Sequence, residues 1–137
     1  MKAEELRIGN YVNYNDGSGH DDIRQIVGID RNSVTSVIKG CHFATAIKSN
    51  DLIYPIPLTE EVLLKCGFVK NGIPTGYTIL DKFQLRYCYK NVPKKIWEWN
   101  FEAYNDDNWI GISKPQYLHQ LQNLYYALCG REMEVSF

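Results

Sequence analysis

Two runs in the middle of the chain, "FQLRYCYK" at 83–90 and "WEWNFEA" at 97–103, alternate large apolar and polar residues without a break. That period of two belongs to a pleated strand and fits no helix face. It sets Phe83, Leu85, Tyr87 and Tyr89 against Gln84, Arg86, Cys88 and Lys90, and Trp97, Trp99, Phe101 and Ala103 against Glu98, Asn100 and Glu102. Arg86 and Lys90 on one polar face complement Glu98 and Glu102 on the other, so the runs are expected to pair antiparallel through the turn at "NVPKK". With "YTIL" before them and "NWIGIS" after, a four-stranded antiparallel sheet is predicted.

The first third also reads as short strands. "LRIGNYVNY", "IRQIVGID", "SVTSVIK" and "CHFATAIK" are rich in β-branched residues and separated by turn chemistry. Strands this short expose long edges, and closure into a small Src-homology-3-like β-barrel or meander over residues 1–54 is the expected remedy. Pro55 and Pro57 then hold an extended connection into an α+β lobe, residues 55–137, that forms one compact unit with the first. Thr59 is a natural N-cap with Glu60 and Glu61 in the first turn. Val62, Leu63 and Cys66 make the apolar stripe of a short helix, and Gly67 is placed to end it.

A second helix is expected to begin near Lys114, where Ser113 and Gln116 have capping-box spacing and Pro115 falls in the first turn. Its stripe, Tyr117, Leu118, Leu121, Leu124, Tyr125 and Leu128, is wide enough to cover the aromatic side of the sheet, and Gly130 marks its end. The fold class is therefore α+β.

Composition narrows the function classes. The chain has 137 residues, 45% hydrophobic and 13% aromatic, enough for a core. A net charge of −1 supplies no global attraction to a phosphate backbone. Cys41, Cys66, Cys88 and Cys129 form no CxxC pair and read as buried free thiols, with no zinc or redox framework. No apolar run reaches membrane-spanning length and the first residues are charged, so a soluble, cytoplasmic protein is expected.

No nucleophile with a base and no paired carboxylates occur at a credible spacing, so no catalytic residue, metal ligand or cofactor is assigned. His119 lies off the helix stripe, beside Gln122 and Asn123, with no ligand or carboxylate at helical spacing, and is read as structural or exposed. The loop "NDGSGHDD" has oxygen ligands but lacks cation-loop spacing and is read as a hairpin turn. Tyr87, Tyr89, Trp97 and Trp99 are assigned to core packing. Tyr104, Trp109 and Tyr126 lie off the core stripes and are the candidate anchors for a partner. The alternative, a nucleic-acid surface, would use Arg86, Lys90, Lys94 and Lys95.

"LRIGNYV" at 6–12, "PIPLTEEVLLKCGF" at 55–68 and "YLHQLQNLYYALCGREM" at 117–133 resemble segments of an uncharacterised family of small proteins in Bacteroides-type gut bacteria, their phages and mobile elements. The resemblance implies a phage or mobile-element setting and brings no activity with it. The expectation is a non-enzymatic binding protein that acts through a protein partner or self-association. Nucleic-acid binding and sequestration of a small nucleotide signal are the alternatives.

Overall fold

Hairpin chemistry and strand alternation produce two antiparallel sheets of five strands each. The computed structural model describes residues 1–19, 21–38, 41–48, 52–72, 76–80, 82–90, 96–105 and 107–137, without the side chains of 90 and 105. The described chain divides into two compact units, Met1–Pro57 with Tyr117–Met133 and Phe137, and Leu58–Gln116 with Glu134–Ser136.

In the first unit, a 3-10 turn at Ala3–Glu5 precedes β1 (Tyr11–Asn15), β2 (Asp21–Ile29), β3 (Val34–Ile38), β4 (Ala44–Ile47) and β5 (Ile53–Tyr54). The order is β4-β3-β2-β1-β5, a meander whose last strand returns beside the first. Leu6, Val12, Ile26, Val34, Ile47 and Ile53 form its buried core, as the alternation along each strand requires. The strand assignment holds, but closure into a barrel does not: among the described residues β4 and β5 remain the two edges of an open sheet. The two residues of β5 pair with β1 only, too short a strand to bridge both edges.

The same unit contains α2, Leu118–Cys129, which was expected to cover the second sheet. Its start and face also differ from expectation. Tyr117 is the N-cap and the Gln120 side chain accepts from its N–H, so the capping box is set four residues later than Ser113 and Gln116. Gln116 is used elsewhere: its side-chain amide accepts from the Trp99 N–H and donates to the Trp99 carbonyl, like a strand neighbour, and residues 114–116 stay outside the helix. Leu118, His119, Leu121, Gln122 and Tyr125 are buried, whereas Tyr117 and Leu128 are exposed. The inner face thus includes two polar residues. It meets the Gly9–Tyr11 segment, whose backbone groups take the Gln122 amide as partner. Gly130 ends the helix in the left-handed conformation, φ 70°.

The second unit begins with α1, Glu60–Lys65. The Thr59 hydroxyl accepts from the Val62 N–H at 3.3 Å, and Gly67, at φ 88°, lets the Phe68 N–H return to the Leu63 carbonyl. The strands are β6 (Val69–Lys70), β7 (Gly76–Ile79), β8 (Phe83–Lys90), β9 (Ile96–Asn105) and β10 (Asn108–Ser113), in the order β10-β9-β8-β7-β6. The four expected strands are present, and β6 adds a fifth edge strand. The two runs pair antiparallel as expected, and Leu85 faces Phe101, Tyr87 faces Trp99 and Tyr89 faces Trp97. Leu63, Cys66, Phe68, Tyr77, Leu85, Trp99 and Phe101 are buried in this unit. The Trp99 indole donates to the Leu58 carbonyl at 3.1 Å and so ties the sheet to the entry of α1.

Candidate functional site

Tyr104 and Trp109 lie opposite each other across β9 and β10, with ring centroids 5.1 Å apart. Asp107, at φ 72°, shapes the turn and accepts a hydrogen bond from the Tyr104 hydroxyl at 3.2 Å. Left-handed backbone is tolerated by aspartate better than by most residues. Both rings are exposed, 47% for Tyr104 and 37% for Trp109.

β10 lies at the edge of its sheet and every one of its residues is exposed, including Trp109, Ile110 and Ile112. The direction of its backbone follows from one bond. The Tyr104 N–H donates to the Lys82 carbonyl at 2.8 Å, so the main chain of Tyr104 is turned toward the β8 side. Its opposite residue, Trp109, therefore points its own N–H and C=O away from β9, and by alternation Gly111 does the same. Natural edges are blunted with lysine, proline or inward charge. β10 contains none of these, although the register shift between Gly111 and Ser113 shortens its regular part.

Tyr126, the third expected anchor, belongs to the first unit. Its ring is capped by the Arg7 guanidinium, 4.2 Å from the centroid, and Arg7 is itself paired with Glu132. The structure thus joins Tyr104 with Trp109 and places Tyr126 in separate surroundings. Sequence reasoning missed Ile110, Gly111 and Ile112. The signal was the uncharged run "NWIGIS", in which apolar residues occupy both faces of a terminal strand.

The assignment of the central aromatics to the core needs correction. Trp99 is buried, but Tyr87, Tyr89 and Trp97 are exposed by 37%, 48% and 55%. They form a strip in which Trp97 packs against Tyr87 and Tyr89, each at 5.3 Å between ring centroids. Of the cations proposed to serve it, Arg86 stands on the opposite face of β8 and binds both oxygens of the nearly buried Glu102, which also accepts from Gln84. The hydrogen bond that Arg86 donates to Glu102 raises the Arg86 pKa above its ordinary value, against the opposing effect of partial burial. Arg86 is thus committed to Glu102. Lys94 and Lys95 lie outside the described residues, as does the side chain of Lys90.

His119 is buried, not exposed, and neither ring nitrogen has a hydrogen-bond partner among the described residues. Burial lowers its pKa, with Glu5, whose carboxylate is 3.8 Å from Nε2, acting in the opposite direction. Cys66 is the buried thiol; Cys41 is exposed, and Cys88 and Cys129 are intermediate. In the loop before β2, Asp16 accepts from the Ser18 N–H and hydroxyl, which is turn chemistry, and His20 lies outside the described residues. No group of three metal-ligating side chains occurs among the described residues, and none of their helices is long and apolar enough to cross a membrane.

Open depressions are present among the described residues. One in the first unit, about 380 Å³, is lined by Asp30, Arg31, Asn32, Ser33 and Lys48 among others, with no aromatic ring among the described residues that line it. Another, about 240 Å³, adjoins the β10 edge and is lined by Asn100, Gly111, Ile112, Ser113 and Lys114. Compared with family models, curated proteins and solved structures, the chain matches none.

Proposed function

We propose that the chain is a small non-enzymatic binding protein that recognises an extended polypeptide strand along β10. The observation that carries this reading is an exposed edge whose Trp109 and Gly111 backbone groups face away from the sheet, beside the apolar side chains of Trp109, Ile110 and Ile112. Strand addition supplies main-chain hydrogen bonds for affinity and side-chain contacts for specificity. The Tyr104–Trp109 pair is the anchor, since rigid aromatics present large area at little entropic cost. The phage or mobile-element setting rests on the three resembling segments alone.

Selection from a library of unstructured peptides tests the reading. Extended, apolar-alternating peptides should be enriched on the wild-type protein and lose binding when Tyr104 and Trp109 are both changed to alanine. Peptides that bind the double variant equally well would place recognition elsewhere. Nucleic-acid binding gains no support from Arg86, and a salt titration separates it: phosphate contacts weaken steeply with salt, whereas an apolar edge does not.

A further inference from the structure

We infer that the occupant of the β10 edge is β10 of a second copy of this chain, paired antiparallel about a two-fold axis through Ile110. The inference rests on the strand-addition reading and names the strand. Trp109 and Gly111 are the outward-facing residues, two positions apart. An antiparallel partner satisfies both when Trp109 of each copy lies opposite Gly111 of the other, with the two Ile110 residues forming the central pair. A two-fold interface uses the same patch twice, so the patch must complement itself.

Three observations show that it does. The first is an aromatic ring and an open depression on one patch. Trp109 is exposed, with Tyr104 packed against it, while the depression beside Gly111 is bounded by Asn100, Ile112, Ser113 and Lys114. Asn100 and Gly111 share a sheet face with Trp109 by strand alternation, so the opposing indole arrives on the side where the depression lies. An aromatic ring over a cross-strand glycine covers backbone that a bare glycine leaves exposed.

The second concerns Gly111 itself. Among the described residues a Cβ there would meet no atom within 4 Å, and its φ is not in the left-handed region, so neither their packing nor the backbone requires glycine. A partner indole supplies the reason. The third is charge. β10 carries no charged residue, and it is flanked by Asp107 and Lys114. Antiparallel pairing brings Asp107 of one copy to the same end as Lys114 of the other, whose ammonium also holds Glu98 at 3.1 Å, whereas parallel pairing would set like charges together.

Light scattering after gel filtration, across a protein concentration series, tests the inference on wild type, Gly111→Val and Ile110→Lys. Wild type should move from monomer to dimer mass. Gly111→Val should fill the depression without strain and remain monomeric, with unchanged circular dichroism and the melting temperature that wild type has at dilutions where it is monomeric, and Ile110→Lys should also be monomeric. A wild-type protein that stays monomeric at every concentration overturns the inference, as does a dimer that both variants retain. If wild type is monomeric while peptide selection still depends on Tyr104 and Trp109, only the identity of the strand has failed. If both fail, so has the strand-addition reading.

Discussion

The side-chain amide of Gln122 takes the backbone N–H of Tyr11 at 2.9 Å and gives a hydrogen bond to the carbonyl of Gly9 at 3.1 Å. A buried glutamine on α2 thus acts as a substitute strand for the approach to β1. Asn123 extends the link: its carbonyl oxygen accepts from Asn10 at 2.8 Å and Arg7 at 3.2 Å, and its amide donates to the Glu5 carbonyl at 3.2 Å. The segments "LRIGNYV" and "YLHQLQNLYYALCGREM" are therefore two halves of one polar network in the first unit.

Replacing Gln122 with alanine strands the Tyr11 N–H, while the Gly9 carbonyl keeps the Gln25 amide at 3.3 Å. Because a stranded buried polar group costs about 1 to 3 kcal/mol, the variant should lose roughly that much stability. Urea unfolding followed by circular dichroism should show a lower midpoint with an unchanged slope. A loss under about 0.5 kcal/mol would mean that solvent replaces the amide freely.

His119 should make stability depend on pH. Burial lowers its folded-state pKa below the ordinary value of 6.5, so the unfolded chain takes up the proton first. Its stabilising effect is complete above about pH 6.5 and declines as pH falls from there through the folded pKa, by at most about 1.4 kcal/mol per pH unit. The difference in unfolding free energy between wild type and His119→Leu, measured from pH 8 to 5, should shrink or reverse toward the acid end. A constant difference would show that the imidazole titrates alike in both states.

Trp99→Phe keeps an aromatic ring beside Tyr87, whose centroid is 4.9 Å away, but removes the indole donor to the Leu58 carbonyl. A loss of about 1 to 2 kcal/mol is expected from the hydrogen bond and its stranded acceptor. Trp99→Ala should cost more, about 3 to 5 kcal/mol, by opening a cavity as well. Thermal unfolding of the two variants should rank them in that order; equal losses would assign the whole effect to the hydrogen bond.

Burial pushes the Cys66 thiol up to about 12. A thiol-specific reagent at pH 8 should label exposed Cys41 readily and leave Cys66 unmodified until the chain unfolds, because the thiolate is the reactive form. Peptide mass mapping of native and urea-treated samples would show this. Equal labelling of the two in the native protein would contradict the burial of Cys66.

Local chemistry made much of this fold legible. The cap at Thr59, the stop at Gly67, and the common face of Leu85 with Tyr87 and of Trp99 with Phe101 all depend on neighbouring residues or on a period of two, which a sequence displays directly. The pairing of Tyr104 with Trp109 was half legible: both were singled out as anchors, and the turn between them is short. The exposed edge beside them was not, because being an edge depends on whether another strand arrives.

Alternation by itself determined which residues share a face, and capping chemistry determined where α1 starts and stops. Only the tertiary structure decided which faces are covered. It placed α2 in the first unit with His119 and Gln122 inward, held Gln116 against Trp99 in place of a helix cap, and left Tyr87, Tyr89 and Trp97 exposed. The physical reason is that burial is a property of contacts distant in sequence. A stripe shows that a face is apolar, but what lies against it depends on where the chain's unsatisfied backbone groups find their partners.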